Sequence, residues 1–400
     1  MTVTTREGGA VVAEAFIIDA IRTPFGKGKP DGQYAGTHPV DLHAHAIREV
    51  VRRAGMPGAA VSDVIAGAVG QVGEQSANTA RWAALAAGLP VSVPAVTIDR
   101  QCGSSQQALH FAAQGIQAGA YEVVVASGAE SMSRIPIGSQ MAGRDPFGEA
   151  VQRRFAPGLV PQGISAELIS ARWAISREES DAFALESHRR ATRAQRTGLF
   201  ERETVPLSAG DVDQSIRPNT TPEALAALRP AFEDPRWSER FPEISWSVTA
   251  GNASPVNDGA AAVLVAGSEA VERFGLRPRA RVVATAVVGD DPIMMLTGIV
   301  PATEQALRRA GLSLDDIDAF EVNEAFASVV LAWLKATDAD PAKVNVHGGA
   351  LAIGHPLGAS GARLTATLLG VLDATGGRYG LQVICEAGGL ANAMVIEWLG

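Results

Sequence analysis

The chain has 400 residues, 46% of them hydrophobic, and its 34 basic and 43 acidic residues give a formal net charge of −9. This length exceeds what one hydrophobic core usually supports, so about two or three domains are predicted. The negative charge argues against nucleic-acid binding, and no apolar run is long enough to span a membrane. Residues 1–12 are polar and do not resemble a signal peptide, so a cytoplasmic location is predicted.

The chain contains an internal repeat. Residues 48–56 resemble residues 304–312, which lie 256 positions later, and both segments place a glycine where a helix would end. Each is followed by an Asp-containing turn and a short apolar strand, at 62–66 and 316–320. In both halves a Gly/Ser-rich turn then opens a helix that leads into another apolar strand. This pattern predicts parallel β-α-β packing in a duplicated α/β/α layered fold.

The middle of the chain differs from the two halves in its pattern of residues. Ser176 and Glu179 match a capping box that would open a charged helix reaching Arg196. Proline- and glycine-spaced stretches follow, so a loop-rich inserted domain is predicted, of the kind that contacts substrate. The predicted domains are an N-terminal half at 1–133 with 247–276, a loop domain at 134–246, and a C-terminal half at 277–400.

The two cysteines, Cys102 and Cys385, lie in glycine-rich settings, and His355 lies in a third such segment between them. Because Cys102 precedes a helix, its thiolate is expected to be stabilised by the helix N-terminus. Free thiols are favoured over a disulfide in a large chain of this type. No histidine pairs with a cysteine at zinc-ligand spacing, so no metal site is predicted. Two thiols and an imidazole in this setting indicate a covalent nucleophile, an activating base and a second proton carrier.

These segments, with several others, resemble the motifs of the thiolase family in order and over almost the whole chain. The motifs are Arg-Thr-Pro-Phe-Gly at 22–26, Cys-Gly-Ser at 102–104, Gly-Asn-Ala-Ser at 251–254 with Asn-Asp-Gly-Ala-Ala at 257–261, Asn-Glu-Ala-Phe at 323–326, the glycine-rich histidine segment at 348–363, and Cys385 with its glycines. The resemblance implies duplicated α/β halves in a five-layered α-β-α-β-α fold with an inserted loop domain, assembled as a homodimer or homotetramer.

The same resemblance implies an activity. The enzyme would be an acyltransferase that cleaves 3-oxoacyl-CoA with coenzyme A to acetyl-CoA and a shortened acyl-CoA, or runs the reverse condensation. Coenzyme A would be a substrate, with no tightly bound cofactor and acyl-CoA as the other partner. Lipid degradation is the predicted direction, because cleavage is the favoured direction in the family.

By this resemblance Cys102 is the nucleophile, His355 is its base, and Cys385 protonates the departing acetyl-CoA enolate. Asn323 would hold a water that acts with His355 on the enolate oxygen. The backbone amides of Cys102 and Ala387 would form a second oxyanion site at the nucleophile.

Contacts with coenzyme A are where this chain departs from the family pattern. Ser254 is expected to contact the pantetheine arm. Where the family often has His-Met-Gly, which contacts coenzyme A and closes the acyl pocket, residues 161–163 read Pro-Gln-Gly. Ala387 stands where glycine is usual, and activity is expected to survive if its backbone angles suit a Cβ. We therefore expect an acyl pocket that admits longer or bulkier chains than acetoacetyl-CoA.

Two other functions fit parts of the pattern. A decarboxylating condensing enzyme of the same superfamily would pair the nucleophile with two histidines, or with a histidine and an asparagine, and would not need Cys385. A non-catalytic acyl-CoA or lipid carrier on the same fold would need neither a base nor thiols. The joint presence of Cys102, His355 and Cys385 favours a thiolase over both.

Overall fold

The computed structural model describes residues 13–400, so the prediction made from residues 1–12 concerns a segment outside the described residues. The strands are β1 (Ala15–Arg22), β2 (Gly26–Lys27), β3 (Asp63–Gly67), β4 (Ala95–Ile98), β5 (Val123–Ser131), β6 (Asn257–Gly267), β7 (Ala280–Gly289), β8 (Ala319–Val322), β9 (Tyr379–Glu386) and β10 (Leu390–Trp398). The helices are α1 (Pro39–Ala54), α2 (Thr79–Ala86), α3 (Ser104–Gln117), α4 (Gly148–Arg154), α5 (Gln162–Arg172), α6 (Arg177–Arg196), α7 (Pro222–Ala226), α8 (Pro235–Arg240), α9 (Ser268–Phe274), α10 (Ile299–Ala310), α11 (Ala327–Thr337), α12 (Ala350–Ile353) and α13 (Ser360–Thr375).

The strands form two half-sheets of the same design. The first has the order β4-β3-β5-β6-β1 and the second the order β8-β9-β10-β7, and β1 meets β7 through two residue pairs. Strands β3 and β5 are parallel, as are β8 and β9, whereas β6 and β10 run antiparallel to their neighbours. The shared order supports the internal duplication. The predicted parallel β-α-β packing is confirmed for β3 with β5 and for β8 with β9. The antiparallel pairing of β10 was not predicted, and it follows from the tight hairpin through which β10 returns from β9.

Three buried apolar clusters show how the layers stack. Helices α1 and α2 pack on the outer face of the first half-sheet, and α10 and α11 pack on the outer face of the second. Helices α3 and α13 lie between the two half-sheets. The α-β-α-β-α order implied by the resemblance is therefore confirmed. Within residues 13–400, no helix is both long enough and apolar enough to cross a membrane.

Local signals in the sequence correspond closely to the observed ends of helices. Gly55 and Gly311, the equivalent glycines of the repeat, both end their helices in the left-handed conformation with φ of 68°. Ser176 caps α6 as predicted: its hydroxyl accepts from the Glu179 amide at 3.1 Å, and its own amide donates to the Glu179 carboxylate at 2.7 Å.

The segment between β5 and β6 carries α4 to α8 and is fixed to the core by buried polar contacts. Arg22, at the end of β1, pairs with Glu203 at 2.6 Å and with Asp213 at 2.7 Å, and all three side chains are buried. Asn257, at the start of β6, donates from Nδ2 to the Ser215 hydroxyl at 2.8 Å. Separating a buried ion pair leaves an uncompensated buried charge, which strongly destabilises the protein. These contacts therefore hold the segment against the core.

Candidate active site

Cys102 lies in the tight turn that connects β4 to α3. Gln101, just before it, has a φ of 48°, which turns the chain sharply. The Ser104 hydroxyl accepts from the Arg100 amide at 2.9 Å and donates to the Gln101 carbonyl at 2.6 Å. These bonds fix the turn, and they place Cys102 two residues before the first residue of α3, with 3% of its surface exposed.

His355 lies in the equivalent turn of the second half, between α12 and α13. Its Nδ1 is 2.6 Å from the Ser360 hydroxyl, which itself donates to the Pro356 carbonyl at 2.8 Å. Since the hydroxyl proton is used there, the Ser360 oxygen accepts a hydrogen bond from Nδ1–H, and the lone pair of His355 is on Nε2. That Nε2 is buried and has no hydrogen-bond partner among residues 13–400. The imidazole is thus arranged to accept a proton at Nε2.

The two turns meet at the centre of the molecule. The Ser105 hydroxyl, in the first turn of α3, accepts from the Ala362 amide in the first turn of α13 at 2.9 Å. Leu357, two residues after His355, packs in the apolar cluster that contains Cys102. The structure therefore brings the segments of Cys102 and His355 together from equivalent turns of the two halves, as the repeat predicted.

Glu130, on β5, accepts a hydrogen bond from the turn that follows His355. This residue was not predicted from the sequence. One oxygen of this buried carboxylate accepts from the amides of Gly358 at 2.9 Å and Val69 at 3.0 Å. The other accepts from Gly70 at 2.9 Å and from the Gln75 side chain at 2.7 Å. The available signal was a single charged residue in a strand of small and apolar residues, because a carboxylate buried there needs several hydrogen-bond donors.

Cys385 and Asn323 approach the same region from neighbouring strands. Cys385 is fully buried near the end of β9. Asn323 follows β8, and its amide donates to the Val383 carbonyl of β9 at 3.0 Å. Both polar atoms of the Asn323 side chain are buried without a partner in the described part of the chain. A buried amide in this condition is ready to bind a water or a substrate oxygen.

Ser254 and Ala387 lie at the edges of this region. Ser254 is half-buried, and its amide donates to the Ala325 carbonyl at 2.9 Å, which places it beside the segment of Asn323. In the hairpin after Cys385, Gly388 and Gly389 have φ of 87° and 77°, the left-handed region that favours glycine. Ala387 does not adopt a positive φ, so its Cβ causes no backbone strain.

The two thiols and the imidazole of the site are neutral at physiological pH. Burial raises the pKa of the Cys102 thiol well above its usual value, and negative charge at Cys385 or Glu386 would raise it further. Burial, with a contribution from Glu386, raises the pKa of Cys385 to about 12. Burial, aided by the Arg363 charge, lowers the pKa of His355 to about 3. The expectation of a stabilised thiolate at Cys102 was therefore wrong, because desolvation outweighs the helix N-terminus.

Glu386 is a further acidic group at the site that the sequence analysis did not single out. It is fully buried beside Cys385, and neither carboxylate oxygen has a partner among the described residues. Gly103 lies against this carboxylate, since a Cβ at that position would overlap it unless the Glu386 side chain moved. Burial raises the pKa of Glu386 to about 8, against the opposing charge of Arg100. A charged residue next to Cys385 at the end of an apolar strand was the signal in the sequence.

No cluster of three or more His, Cys, Asp or Glu side chains that could hold a metal ion occurs in the part of the chain that the structure describes. Both cysteines are free and buried. The groups that the structure brings to this site include two neutral thiols, one imidazole and the carboxyl group of Glu386.

Comparisons with known proteins agree with the motifs. The family model described as "Thiolase, N-terminal domain" matches residues 15–269, and the model described as "Thiolase, C-terminal domain" matches residues 276–398. The chain is 49% identical to the steroid 3-ketoacyl-CoA thiolase FadA6 of Mycobacterium tuberculosis, covering 98% of this chain and 96% of that protein. It is 43% identical to a 3-ketoacyl-CoA thiolase of Citrobacter koseri, covering 96% and 98%.

Solved structures give the same result. A crystal structure of human mitochondrial 3-ketoacyl-CoA thiolase in complex with CoA superposes with a TM-score of 0.86 at 36% identity, covering 97% of this chain and 99% of that one. The Bacillus anthracis acetyl-CoA acetyltransferase superposes with a TM-score of 0.86 at 38% identity and the same coverage.

Proposed function

Since this chain belongs to the thiolase family and is an acyltransferase that cleaves 3-oxoacyl-CoA with coenzyme A, we propose that the reaction passes through an acyl-Cys102 intermediate. The observation that supports this assignment is the meeting of the Cys102 and His355 turns at the centre of the five layers. Buried thiols or histidines are common as structural residues, whereas a buried thiol and an unpaired imidazole nitrogen on two turns that meet are suited to nucleophilic catalysis.

In the first half-reaction Cys102 attacks C3 of the 3-oxoacyl group. The thiol proton passes to Nε2 of His355, since the thiol is neutral until attack and the imidazole is free to accept it. The C2–C3 bond breaks, its electrons form the enolate of acetyl-CoA, and Cys385 donates a proton to that carbon. With a pKa of about 12, Cys385 keeps its proton at neutral pH and can act as this acid.

In the second half-reaction coenzyme A removes the acyl group. Solvent first removes the proton from His355 and returns one to the Cys385 thiolate. The coenzyme A thiol then gives its proton to Nε2 of His355 and attacks the carbonyl of acyl-Cys102; the new thioester forms, and the Cys102 sulfur leaves and takes back the proton from His355. Negative charge develops on a carbonyl oxygen in each half-reaction, so two donor sites are needed. We assign the backbone amides of Cys102 and Ala387 to the acyl carbonyl, and a water on Asn323 with His355 to the enolate.

Coenzyme A needs a path to Cys102, and we propose that it begins in a cavity of about 420 Å³ on the segment between β5 and β6. The cavity is lined by Arg217, Pro218, Asn219, Thr220, Ala224, Leu225 and Leu228. Arg217 supplies a positive charge suited to phosphate. Gly251 lies against Leu225 and Leu228, and the chain then runs to Ser254 beside the Asn323 segment. This path supports Ser254 as a pantetheine contact.

The acyl group, we propose, is longer or bulkier than acetoacetyl, and ring-bearing chains are included. An apolar cluster surrounds α5, with Ile164 and Leu168 at its centre and Phe232, Trp246 and Met294 around it. Gln162 stands in this chain where the family often has the methionine that closes the pocket. The 49% identical relative named as a steroid thiolase supports the same reading.

A cleavage assay tests this function. Coenzyme-A-dependent cleavage is measured with acetoacetyl-CoA, with linear 3-oxoacyl-CoAs of increasing length, and with a ring-bearing 3-oxoacyl-CoA. We expect kcat/KM to rise from acetoacetyl-CoA to the larger substrates. Equal or better turnover of acetoacetyl-CoA would contradict the proposed pocket, and dependence on malonyl-CoA in the synthetic direction would favour a decarboxylating condensing enzyme instead.

We also propose that the chain forms a homodimer or homotetramer in the cytoplasm. Strand β4 lies at one end of the sheet order, and the exposed side chains of Val96 and Trp82 lie on β4 and α2 beside it. An uncovered edge with apolar side chains is a usual place for a second copy to pair. Sedimentation equilibrium should give a mass of at least two chains, and a monomer at micromolar concentration would contradict the assembly.

A further inference from the structure

Glu386 is a buried acidic residue that the proposed reaction does not use. It is the last residue of β9, its side chain is fully buried, and neither carboxylate oxygen has a hydrogen-bond partner among residues 13–400. Burying an acidic group without donors is unfavourable, so such a group is retained in a native fold for a reason other than stability. The contacts of its side chain indicate that reason.

The carboxyl group of Glu386 lies against the turn that carries Cys102. Alternate residues of a strand share a face, and Ile384, two residues before Glu386, packs in the apolar cluster that contains Cys102. A Cβ built on Gly103, the residue after Cys102, would lie 1.8 Å from Oε1, 2.7 Å from Cδ and 3.2 Å from Cγ of Glu386. These are the three atoms nearest to that position, so the Glu386 side chain supports this side of the turn directly.

Gly103 connects this contact to the geometry of the nucleophile. Its amide donates to the Arg100 carbonyl at 3.1 Å, and its carbonyl accepts from the Gln107 amide at 2.8 Å. It stands directly before the first residue of α3, with φ of −88° and ψ of 8°. A shift at Gly103 therefore moves Cys102 relative to the helix. Because nucleophilic attack is sensitive to displacements of about 1 Å, the contact with Glu386 bears on reactivity.

The charge on Glu386 decides whether this contact persists. Burial raises the pKa of Glu386 to about 8, so the group is mostly neutral at neutral pH and ionised in alkaline solution. In the turn before α3, the Arg100 charge favours the ionised form and the Asp99 charge opposes it. The thiols of Cys102 and Cys385 are the other titratable groups here, and both are neutral at neutral pH. An ionised carboxylate has no donor in this buried place, so ionisation draws it toward Arg100.

We propose that Glu386 is a positioning residue for the nucleophile: its neutral carboxyl group holds Gly103 and Cys102 in the geometry for attack, and its ionisation weakens that hold and slows acylation. This inference rests on the proposed role of Cys102 as the nucleophile. The ionised group also opposes loss of the thiol proton, because it places a second negative charge nearby. No proton passes from Glu386 to the substrate in this role, so His355 and Cys385 remain the proton carriers of the reaction.

Alkylation of Cys102 measures the effect of this charge without any substrate. Wild type, Glu386→Gln and the surface control Glu304→Gln on α10 are treated with iodoacetamide between about pH 6 and 10. Mass spectrometry quantifies the modified Cys102 peptide separately from the Cys385 peptide. Glutamine keeps the shape of the side chain and does not ionise. The ratio of the Glu386→Gln rate to the wild-type rate should be near one at about pH 6.5 and rise about ten-fold by about pH 9.5. The control ratio should stay at one throughout.

Gly103→Ala tests the contact itself. In the otherwise wild-type protein the added Cβ would overlap the Glu386 carboxyl group, so alkylation at about pH 7 should fall about ten-fold. In a Glu386→Ala background the space is open, and the same change should cost less than about two-fold. Alanine adopts the φ of Gly103 without strain, so the difference between the two backgrounds reports the contact.

A Glu386→Gln ratio that stays constant across the pH range would overturn the inference, whatever the level of cleavage. Equal losses from Gly103→Ala in both backgrounds would overturn it as well, because Glu386 would then not be the group that supports Gly103. Both expected results in a protein that cleaves no 3-oxoacyl-CoA would instead contradict the proposed function.

Discussion

Replacing Cys102 with alanine should lower coenzyme-A-dependent cleavage by about 10⁴-fold or more, because the acyl group then has no sulfur to occupy. The side chain is buried in a small apolar cluster with Leu364 and Ile384 and carries no charge at rest, so its removal should leave the fold intact. Binding of acyl-CoA should change little, because the proposed coenzyme A contacts lie at Arg217 and Ser254.

The measurement is steady-state cleavage of the best 3-oxoacyl-CoA, with the melting temperature as a check on folding. Cys102→Ser is the matched control for shape, since it keeps a side chain of similar size with a far weaker nucleophile. Trapping of radiolabelled acyl groups on the protein should succeed with wild type and fail with both variants. Cleavage above about one hundredth of the wild-type rate in either variant would be incompatible with a covalent role for Cys102.

Replacing Cys385 with alanine should separate the two half-reactions. Cleavage needs a proton on the acetyl-CoA enolate, so its rate should fall by about 10³-fold. Exchange of labelled coenzyme A into an acyl-CoA requires only Cys102 and its base, so it should stay within about ten-fold of wild type. The two assays differ because the carbanion forms only when a carbon–carbon bond breaks, which happens in cleavage and not in exchange. The buried, neutral thiol of Cys385 on β9 supplies the proton for that carbanion.

The exchange assay is followed by the movement of labelled coenzyme A into the acyl-CoA pool without any 3-oxoacyl substrate. Cys102→Ala serves as the negative control, in which both exchange and cleavage should vanish. If Cys385→Ala loses exchange as completely as cleavage, Cys385 takes part in acylation and the division of roles proposed above is wrong. If it keeps both activities, another group protonates the enolate, and Glu386 with its raised pKa becomes the first residue to test.

The sequence alone determined those features that depend on local chemistry. The glycine caps at Gly55 and Gly311 follow from backbone freedom, and the Ser176–Glu179 capping box follows from two side chains three residues apart. The repeat itself was visible because equivalent helices keep the same residues at the same spacing. Cys102 and His355 could be selected because both precede helices in glycine-rich turns.

Tertiary structure alone decided how those residues behave. The direction of β6 and β10 depends on long-range and hairpin connections, which short periodic patterns do not encode. The neutral states of Cys102, His355 and Cys385 arise because five layers remove water from the centre of the molecule. Glu130 and Glu386 gain importance only when distant segments surround them, since a buried polar group is defined by the neighbours that satisfy it or leave it unpaired.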